Sequence, residues 1–340
     1  MNVTYDGKVK NMNRKKKMKP WKKFILSLFS IIVLVAGTAF GSTLFQLSKM
    51  ETKTISKTDG DLGVKPKKIQ EKKEDSKVTN IALFGVDRRD KNEPARSDSI
   101  MILSIDEKNK KIKISSIMRD TYVKVKGHGE TKINHAYAYG GPELAIRTLN
   151  ENFDLNIRDY ATVDFFNLEK IIDAIGGVTV DVKKNEVNLI NKYMSETATI
   201  ENKSISRISN SGSQTLNGMQ SVAYTRIRYT AGGDFVRTER QRTILSGMFA
   251  KIQSLGATEF PSVVSKLLPL TETSMNNLDI VKLGSKVFSS NIGTLDQERF
   301  PKEDYCHDKT IDGVWYLVAD MKATVDQLHK YIYEDIKPKK

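Results

Sequence analysis

The sequence predicts an α/β domain, with a central mixed β-sheet between helical layers, preceded by one N-terminal transmembrane helix. From residue 78 onward, short apolar runs alternate with stretches of helical periodicity. Two of these runs are joined by a short polar turn, which predicts a hairpin and therefore a mixed sheet. Before the domain, an uncharged segment of 22 residues follows a strongly basic tail.

Most of the positive charge lies in the N-terminal segment. The chain has 340 residues and a formal net charge of +14, and residues 1–50 contain ten Lys or Arg against one acidic residue. Residues 24–45 carry no charge and are long enough to cross a hydrocarbon core of about 30 Å. The preceding basic residues predict that residues 1–23 are a cytoplasmic tail and that the remainder is extracytoplasmic. A cleaved signal peptide is less favoured, although Gly37-Thr38-Ala39 offers a weak cleavage site.

Residues 46–78 are predicted to form a flexible extracytoplasmic linker. They are rich in Lys, Glu, Asp, Ser and Thr and have almost no apolar periodicity. Such a segment buries too little surface to fold. The folded domain is predicted over residues 79–340, with its motif-bearing part at 80–255 and further helices and strands at 256–340. Its net charge is only +3, which argues against a nucleic-acid-binding domain because such a domain needs a basic face.

The elements of the domain follow from the apolar patterns. Apolar runs bounded by turn residues predict strands at residues 80–86, 99–105, 111–117 and 178–182. Helices are predicted at residues 141–152, 165–175, 215–224, 235–255, 262–268, 278–289 and 318–333. A further strand is expected to carry Arg226 and Arg228. Gly232-Gly233 would then turn the chain into the next helix and place Asp234 near its start.

Arginine is unusually concentrated in this lysine-rich chain. There are 41 Lys but only 14 Arg, and five of the arginines fall within residues 226–242. The guanidinium fork fits phosphate oxygens bidentately, whereas a lysine is a point charge. The pattern therefore indicates phosphate or carboxylate recognition, with surface ion pairs as the alternative for any single arginine. The arginines of interest are Arg88, Arg89, Arg96, Arg119, Arg226, Arg228, Arg237, Arg240 and Arg242.

Two carboxylates are candidates for a metal site. Asp87 follows the first apolar run, and Asp98 lies at the start of the second. If the two strands are neighbours, both side chains can reach one point. Mg2+ is commonly bound by one or two carboxylates together with phosphate oxygens and water. The alternative is that both residues cap loops, as Asp often does.

Six stretches of the chain form a set with a fixed order: NIALFGVD (80–87), RSDSIMIL (96–103), SIMRDTY (116–122), KINHAYAYGG (132–141), IDAIGGV (172–178) and AYTRIRYTAGGDFVRTERQ (223–241). In these stretches the sequence resembles the LytR-CpsA-Psr (LCP) family of cell-wall glycopolymer phosphotransferases. The resemblance covers roughly residues 78–255 and includes the predicted anchor.

The resemblance implies a membrane-anchored phosphotransferase for substituted phosphate groups with an LCP-type α/β/α fold and an apolar cavity for a lipid tail. Its donor would be a polyprenyl-pyrophosphate carrying a glycopolymer such as wall teichoic acid or capsule, and its acceptor would be peptidoglycan. It also implies Mg2+, or Mn2+ in its place, at Asp87 and Asp98. The implied pyrophosphate-binding residues are Arg89, Arg96, Arg119, Arg226, Arg228, Arg237 and Gln241.

Within the implied site, the resemblance makes Asp234 the leading candidate for the base, with Arg119 and Arg228 as further catalytic residues. A helix cap is the alternative role for Asp234. Two other functions stay open. A polyprenyl-pyrophosphate pyrophosphatase would use the same phosphate site with water as acceptor. A transcriptional regulator is less favoured, because only about 23 residues face the cytoplasm and the domain is nearly neutral.

Overall fold

The structure is a computed structural model that describes residues 52–65, 77–88, 95–228, 230, 232–290 and 292–338. The predicted cytoplasmic tail and the predicted span at residues 24–45 lie outside this part of the chain. Among the described residues, no helix combines the length and apolar character needed to cross a bilayer.

Strands and helices of the described residues alternate along much of the chain, as predicted. The strands are β1 (Val78–Asp87), β2 (Arg96–Asp106), β3 (Lys111–Ile117), β4 (Tyr122–Val125), β5 (Gly129–Lys132), β6 (Asp159–Asp164), β7 (Val178–Val182), β8 (Gly212–Leu216), β9 (Glu272–Thr273), β10 (Thr294–Phe300), β11 (Cys306–Ile311) and β12 (Val314–Ala319). The α-helices are α1 (His135–Phe153), α2 (Phe165–Ala174), α3 (Val187–Glu201), α4 (Gly218–Arg226), α5 (Gly233–Leu267), α6 (Asn277–Ser289) and α7 (Met321–Glu334).

A six-stranded mixed sheet forms the centre of the domain, in the order β10-β3-β2-β1-β6-β9. β2 pairs antiparallel with both β1 and β3, which confirms the predicted hairpin. β1 pairs parallel with β6, and β3 pairs parallel with β10. The C-terminal part of the chain therefore completes the sheet at one edge.

Helices cover both faces of this sheet because successive strand residues point to opposite sides. On β2, Ile100 and Ile102 belong to the core that includes residues of α1 and α7. Ser99 and Met101, which alternate with them, line a cavity beside α2 and α5. A second core joins α2, α3, α4 and α5 with the small β7–β8 sheet. The predicted mixed α/β architecture is confirmed.

Residues 52–65 of the predicted linker pack against the folded domain, which corrects the sequence-based expectation for this part of it. Leu62 is fully buried, and it belongs with Ile55 and Val64 to the main core. The Lys53 backbone N–H also donates to the Thr273 carbonyl at 3.1 Å. Three isolated apolar residues in a polar segment show no periodicity, so only the folded domain provides the surface that buries them.

The strand expected to carry Arg226 and Arg228 is also absent from the described structure. Residues 212–216 form β8 instead, and α4 then runs to Arg226. A capping box between Asn217 and Gln220 starts α4, since each side chain accepts a hydrogen bond from the other residue's backbone N–H. Arg226 therefore stands on the last turn of a helix, and Arg228 lies in the connection to α5.

Candidate active site

The predicted site residues stand on five separate pieces of the fold that meet beside one end of the β1–β2 pair. These pieces are the end of β1, the start of β2, the connection between β3 and β4, the end of α4 with the following loop, and the start of α5. They supply, in that order, Asp87, Asp98, Arg119, Arg226 with Arg228, and Asp234 with Arg237 and Gln241.

A β-bulge positions Asp98. Along the β1–β2 pair, Gly85 is opposite Ser99 but Val86 is opposite Ser97, so Asp98 has no partner in the register. A bulge bends the strand locally and redirects a side chain, and bulges are common beside active sites. The bulge explains why a residue within an otherwise regular strand reaches the site.

A tight turn positions Arg119. The Thr121 hydroxyl and the Thr121 N–H both donate to the Met118 carbonyl, at 2.6 and 3.1 Å. The Met118 N–H in turn donates to the Phe300 carbonyl of β10 at 2.9 Å. The turn between β3 and β4 is thereby held against the sheet, with the Arg119 side chain projecting from it.

Arg119 is surrounded by three carboxylates. Its Nη1 donates to Asp98 Oδ1, and its Nε lies 3.2 Å from Asp120 Oδ2 and 3.1 Å from Asp234 Oδ2. Burial opposes the charge of the guanidinium, but the surrounding carboxylates outweigh it and raise the pKa of Arg119 above its ordinary value. Arg119 is therefore a permanent cation that also fixes the positions of Asp98 and Asp234.

Arg226 and Arg228 occupy different environments. The Arg226 guanidinium donates to the Thr197 hydroxyl at 2.8 Å and lies over the rings of Tyr193 and Phe165, at 5.3 and 5.9 Å from their centroids. The Arg228 side chain is 44% exposed, with Nη2 3.6 Å from Asp98 Oδ2. Arg226 is held rigidly by its neighbours, whereas Arg228 remains open to an incoming anion.

The start of α5 brings Asp234 and Arg237 together. Gly232 and Gly233 both have positive φ, as the predicted sharp turn requires. Gly232, not Asp234, is the N-cap residue, and no side chain caps this helix. Asp234 Oδ2 instead accepts from both Arg119 and Arg237, each at 3.1 Å. The side chain therefore belongs to the charge cluster, although its carboxylate still lies in the first turn of the helix.

Arg237 is a buried cation with unused hydrogen-bonding capacity. It is only 3% exposed, and its Nε is buried without a hydrogen-bond partner. Burial, reinforced by the neighbouring Arg119, lowers the pKa of Arg237 to about 10. An anion placed beside it would relieve both the unsatisfied donor and the repulsion between the cations.

Five of the charged residues border a cavity of about 250 Å³, called here the charged cavity. It is lined by Asp87, Asp98, Phe165, Tyr193, Thr225, Arg226, Arg228, Arg237 and Gln241. A second cavity of about 280 Å³, called the apolar cavity, shares Phe165, Thr225 and Gln241 with it. The other residues that line the apolar cavity are Leu83, Phe84, Gly85, Ser99, Met101, Ala161, Val163, Leu168, Ile171, Ile244, Leu245, Met248, Leu267 and Thr271.

A charged cavity beside an apolar cavity suits a molecule with an anionic head and a hydrocarbon tail. The apolar lining comes from β1, β2 and β6 on one side and from α2 and α5 on the other. The sequence did not identify these residues, because the same apolar periodicity predicts an ordinary core.

Four of the predicted phosphate-binding residues line the charged cavity, namely Arg226, Arg228, Arg237 and Gln241, and Arg119 is bonded to Asp98 at its edge. Arg96 is exposed at the start of β2, opposite Asp87 in the register, and does not line the charged cavity. Arg89 lies outside the described residues. The phosphate-binding role of all seven residues stays a prediction.

The donor set for a metal ion fits Mg2+ in part. Asp87 and Asp98 stand on neighbouring antiparallel strands, as the sequence argument requires, and both line the charged cavity. Carboxylate oxygens are suitable ligands, and phosphate oxygens of a substrate would complete the coordination. In the part of the chain that the structure describes, no group of three or more His, Cys, Asp or Glu side chains could hold a metal ion.

Arg240 holds the loop that carries Arg228 in place, a role that the sequence analysis did not assign to it. Its Nε donates to Glu186 at 2.8 Å, and its other two nitrogens donate to the Ile227 carbonyl at 3.1 Å and the Thr230 hydroxyl at 3.0 Å. The loop that carries Arg228 is therefore tied to a buried ion pair. Its place among the clustered arginines was the only sequence signal.

Together the fold and the site define a mixed α/β protein with an anion-binding cluster at the mouth of an apolar cavity. The LytR_cpsA_psr family matches residues 42–332. The chain is 32% identical over 249 residues to the polyisoprenyl-teichoic acid–peptidoglycan teichoic acid transferase TagT of Bacillus subtilis, covering 72% of this chain and 74% of that protein. It is 34% identical over 215 residues to the regulatory protein MsrR of Staphylococcus aureus, covering 62% and 61%.

A solved structure of TagT bound to LI-WTA has the same fold. It superposes with a TM-score of 0.63 and 25% sequence identity, and the match covers 83% of this chain and 98% of that one. The chain belongs to the LytR_cpsA_psr family.

Proposed function

We propose that this protein transfers a phosphoglycosyl polymer from a polyprenyl-pyrophosphate carrier to peptidoglycan. The observation that carries the proposal is the contact between the charged cavity and the apolar cavity, which share three lining residues. The pyrophosphate would bind at the arginines while the polyprenyl chain enters the apolar cavity. The name of the relative TagT describes this kind of reaction.

The residues of the cluster take separate roles in this reaction. Arg226, Arg228 and Arg237 bind the pyrophosphate oxygens, and Arg119 holds Asp98 and Asp234 in position. Phosphoryl transfer is catalysed mainly by positioning and electrostatic stabilisation, which preorganised guanidinium groups provide. Asp234 orients the acceptor hydroxyl and accepts its proton. A bond forms between that oxygen and phosphorus as the bond to polyprenyl phosphate breaks.

A divalent cation completes the proposed site. Asp87 and Asp98 would hold Mg2+, or Mn2+ in its place, and the ion would neutralise charge on the pyrophosphate oxygens. Mn2+ binding, followed by electron paramagnetic resonance in the presence of inorganic pyrophosphate, tests this assignment independently of activity. Asp87→Asn should weaken binding several-fold, whereas Glu239→Gln, an exposed carboxylate on α5, should leave it unchanged. Equal Mn2+ affinity in all three proteins would remove the metal from the proposal.

The proposal includes the anchor. Nine cations precede residue 24, so residues 1–23 are placed in the cytoplasm and residues 46–340 outside. Protease added to intact protoplasts should then digest the folded domain. Protection of the domain would place it on the cytoplasmic side and would contradict a cell-wall function.

Product analysis separates the transferase from a pyrophosphatase. The purified full-length chain is incubated with a polyprenyl-pyrophosphate glycopolymer labelled in its sugar, with and without peptidoglycan. A transferase incorporates label into peptidoglycan and turns over little donor without it. If the label is released equally well in both reactions, water is the acceptor and the transferase proposal is wrong.

A further inference from the structure

Three aromatic rings of β4 and β12 lie beside Lys132 and line neither the charged cavity nor the apolar cavity. Tyr122 begins β4, and Trp315 and Tyr316 lie on β12. The Tyr122 and Tyr316 rings pack edge to face with centroids 4.7 Å apart, and Trp315 is 40% exposed. Tyr122 and Tyr316 are partly buried, so Trp315 is the ring that this group presents to solvent. These three rings, together with Lys132, are called here the aromatic platform.

Lys132 connects the aromatic platform to the active site. Its Nζ lies 5.1 Å from the centroid of Trp315 and 5.9 Å from that of Tyr316. The same Nζ donates to Asp120 Oδ1 at 2.8 Å, and Asp120 Oδ2 accepts from Arg119 Nε at 3.2 Å. Burial alone would raise the pKa of Asp120, but the neighbouring charges of Lys132 and Arg119 lower it. An unbroken series of charged contacts therefore runs from the platform to Arg119.

The backbone fixes the platform relative to Arg119. The Leu317 N–H donates to the Asp120 carbonyl at 3.0 Å, and Thr121 forms a parallel bridge with Leu317. β12 is thus bonded to the two residues that directly follow Arg119. A ligand on the platform would be held in a defined position relative to the cluster.

We propose that the aromatic platform binds a sugar ring of the acceptor glycan and thereby guides its hydroxyl to Asp234. The polarised C–H groups on one face of a sugar suit the negative face of an aromatic ring, while Lys132 can donate to its oxygens. The donor's lipid is assigned to the apolar cavity, so the acceptor needs a separate surface that leads to the same cluster. The inference rests on the proposed function and names the binding surface of its second substrate.

Tryptophan fluorescence tests binding directly. The chain has two tryptophans, Trp21 and Trp315, so a full-length Trp21→Phe variant reports on Trp315 alone. Soluble, uncrosslinked peptidoglycan glycan strands should change this emission saturably, and lipid vesicles should not. No response to glycan, or a response to vesicles only, would overturn the proposal. A response to vesicles only would make the aromatic platform a membrane contact.

Kinetics of the transfer reaction provide the second test. Trp315→Ala should raise the KM for peptidoglycan about tenfold without changing the KM for the lipid-linked donor, because it removes only the stacking surface. Trp315→Phe should restore most of the affinity. Val314→Ala is the matched control, since Val314 is the adjacent residue of β12 and is 42% exposed.

The outcomes distinguish the two proposals. If wild type transfers polymer to peptidoglycan and Trp315→Ala has an unchanged KM for the acceptor, the proposal that the platform binds glycan is wrong and the proposed function stands. If wild type binds glycan strands through Trp315 but releases polymer to water, the transferase proposal fails while the glycan site remains. Thermal unfolding of each variant verifies that the fold is retained.

Discussion

At the scale of single residues, the site depends on what each side chain is bonded to rather than on charge alone. Asp98, Arg119, Asp234 and Arg237 form one connected ion-pair cluster. Arg228 reaches it through a single, longer contact of 3.6 Å to Asp98. Buried members of the cluster hold one another in place, whereas Arg228 is available to a substrate.

Asp234→Asn should reduce transfer by about a hundredfold or more while donor binding survives. The substitution preserves the size of the side chain but removes the negative charge that faces Arg119 and Arg237. Single-turnover transfer rates and a separate measurement of donor binding check the expectation. Helix capping is not at risk, because Gly232 is the N-cap residue. Normal transfer by Asp234→Asn would mean that the acceptor is activated elsewhere.

Arg228→Lys should lower kcat/KM at least about tenfold, or roughly 1.4 kcal/mol of transition-state stabilisation. Lysine keeps the charge but loses the planar fork that binds two phosphate oxygens at once. Arg207→Lys is the matched control, because Arg207 is exposed and does not line the charged cavity. An unchanged rate in Arg228→Lys would show that position 228 needs only a positive charge.

At the scale of elements, the loop between α4 and α5 is positioned by the helix that follows it. Arg240 of α5 reaches back to Ile227 and Thr230, and its charge is balanced by Glu186 at the start of α3. Arg240 and Glu186 are both almost fully buried. The geometry of Arg228 therefore depends on a contact formed 12 residues later in the chain.

Arg240→Lys should lower the free energy of unfolding by about 2 kcal/mol, because lysine lacks the guanidinium fork that reaches Glu186, Ile227 and Thr230 at once. It should also lower kcat/KM without contacting substrate. Denaturant unfolding and transfer kinetics measure the two effects. Glu239→Gln, exposed on the same helix, is the control and should change stability by less than about 0.5 kcal/mol.

A double-mutant cycle separates positioning from general destabilisation. If Arg240 acts by placing Arg228, the kinetic losses of Arg240→Lys and Arg228→Lys should be clearly less than additive. Fully additive losses would instead indicate that Arg240 affects catalysis through some other part of the molecule.

At the scale of the whole molecule, a buried charge network joins the C-terminal helix to the central sheet. Lys113 of β3 is completely buried, donates to Asp106 at 2.7 Å and lies 3.2 Å from Asp335, the C-cap residue of α7. Burial alone would raise the pKa of Asp106, but a hydrogen bond from Lys113 lowers it. Burial would likewise raise the pKa of Asp335, but hydrogen bonds from Lys111 and Lys113 lower it.

Stability should therefore fall in acid. A carboxylate whose pKa is lower in the folded state stabilises the protein above its unfolded pKa of 3.8, and this contribution is lost as pH falls through the folded value. Unfolding free energy, measured from pH 7 downward, should decline below about pH 4. Asp335→Asn, which keeps a residue tolerant of the left-handed conformation, should make the decline shallower.

Asp326→Asn provides the comparison for this pH dependence. Asp326 lies on the same C-terminal helix and pairs with Lys330 at the surface, where its side chain is 60% exposed. Such a pair contributes little to stability. A profile of Asp335→Asn that matches both wild type and Asp326→Asn would show that the buried network does not govern acid unfolding.

The sequence by itself determined the class of fold, the hairpin of β2 and β3, and most of the charged residues of the site. These features rest on local patterns: apolar runs between turn residues, and arginines concentrated in a lysine-rich chain. Two glycines before Asp234 likewise predicted the sharp entry into α5, because positive φ is a local property of the backbone.

Only the tertiary structure decided which residues meet. Five features depend on contacts between segments that are distant in sequence: the burial of Leu62, the helical position of Arg226, the apolar cavity, the support of Arg228 by Arg240 and the aromatic platform. Apolar periodicity does not distinguish a filled core from a cavity, and a polar segment with three isolated apolar residues shows no pattern at all. Contacts between distant segments therefore determined how the site is built.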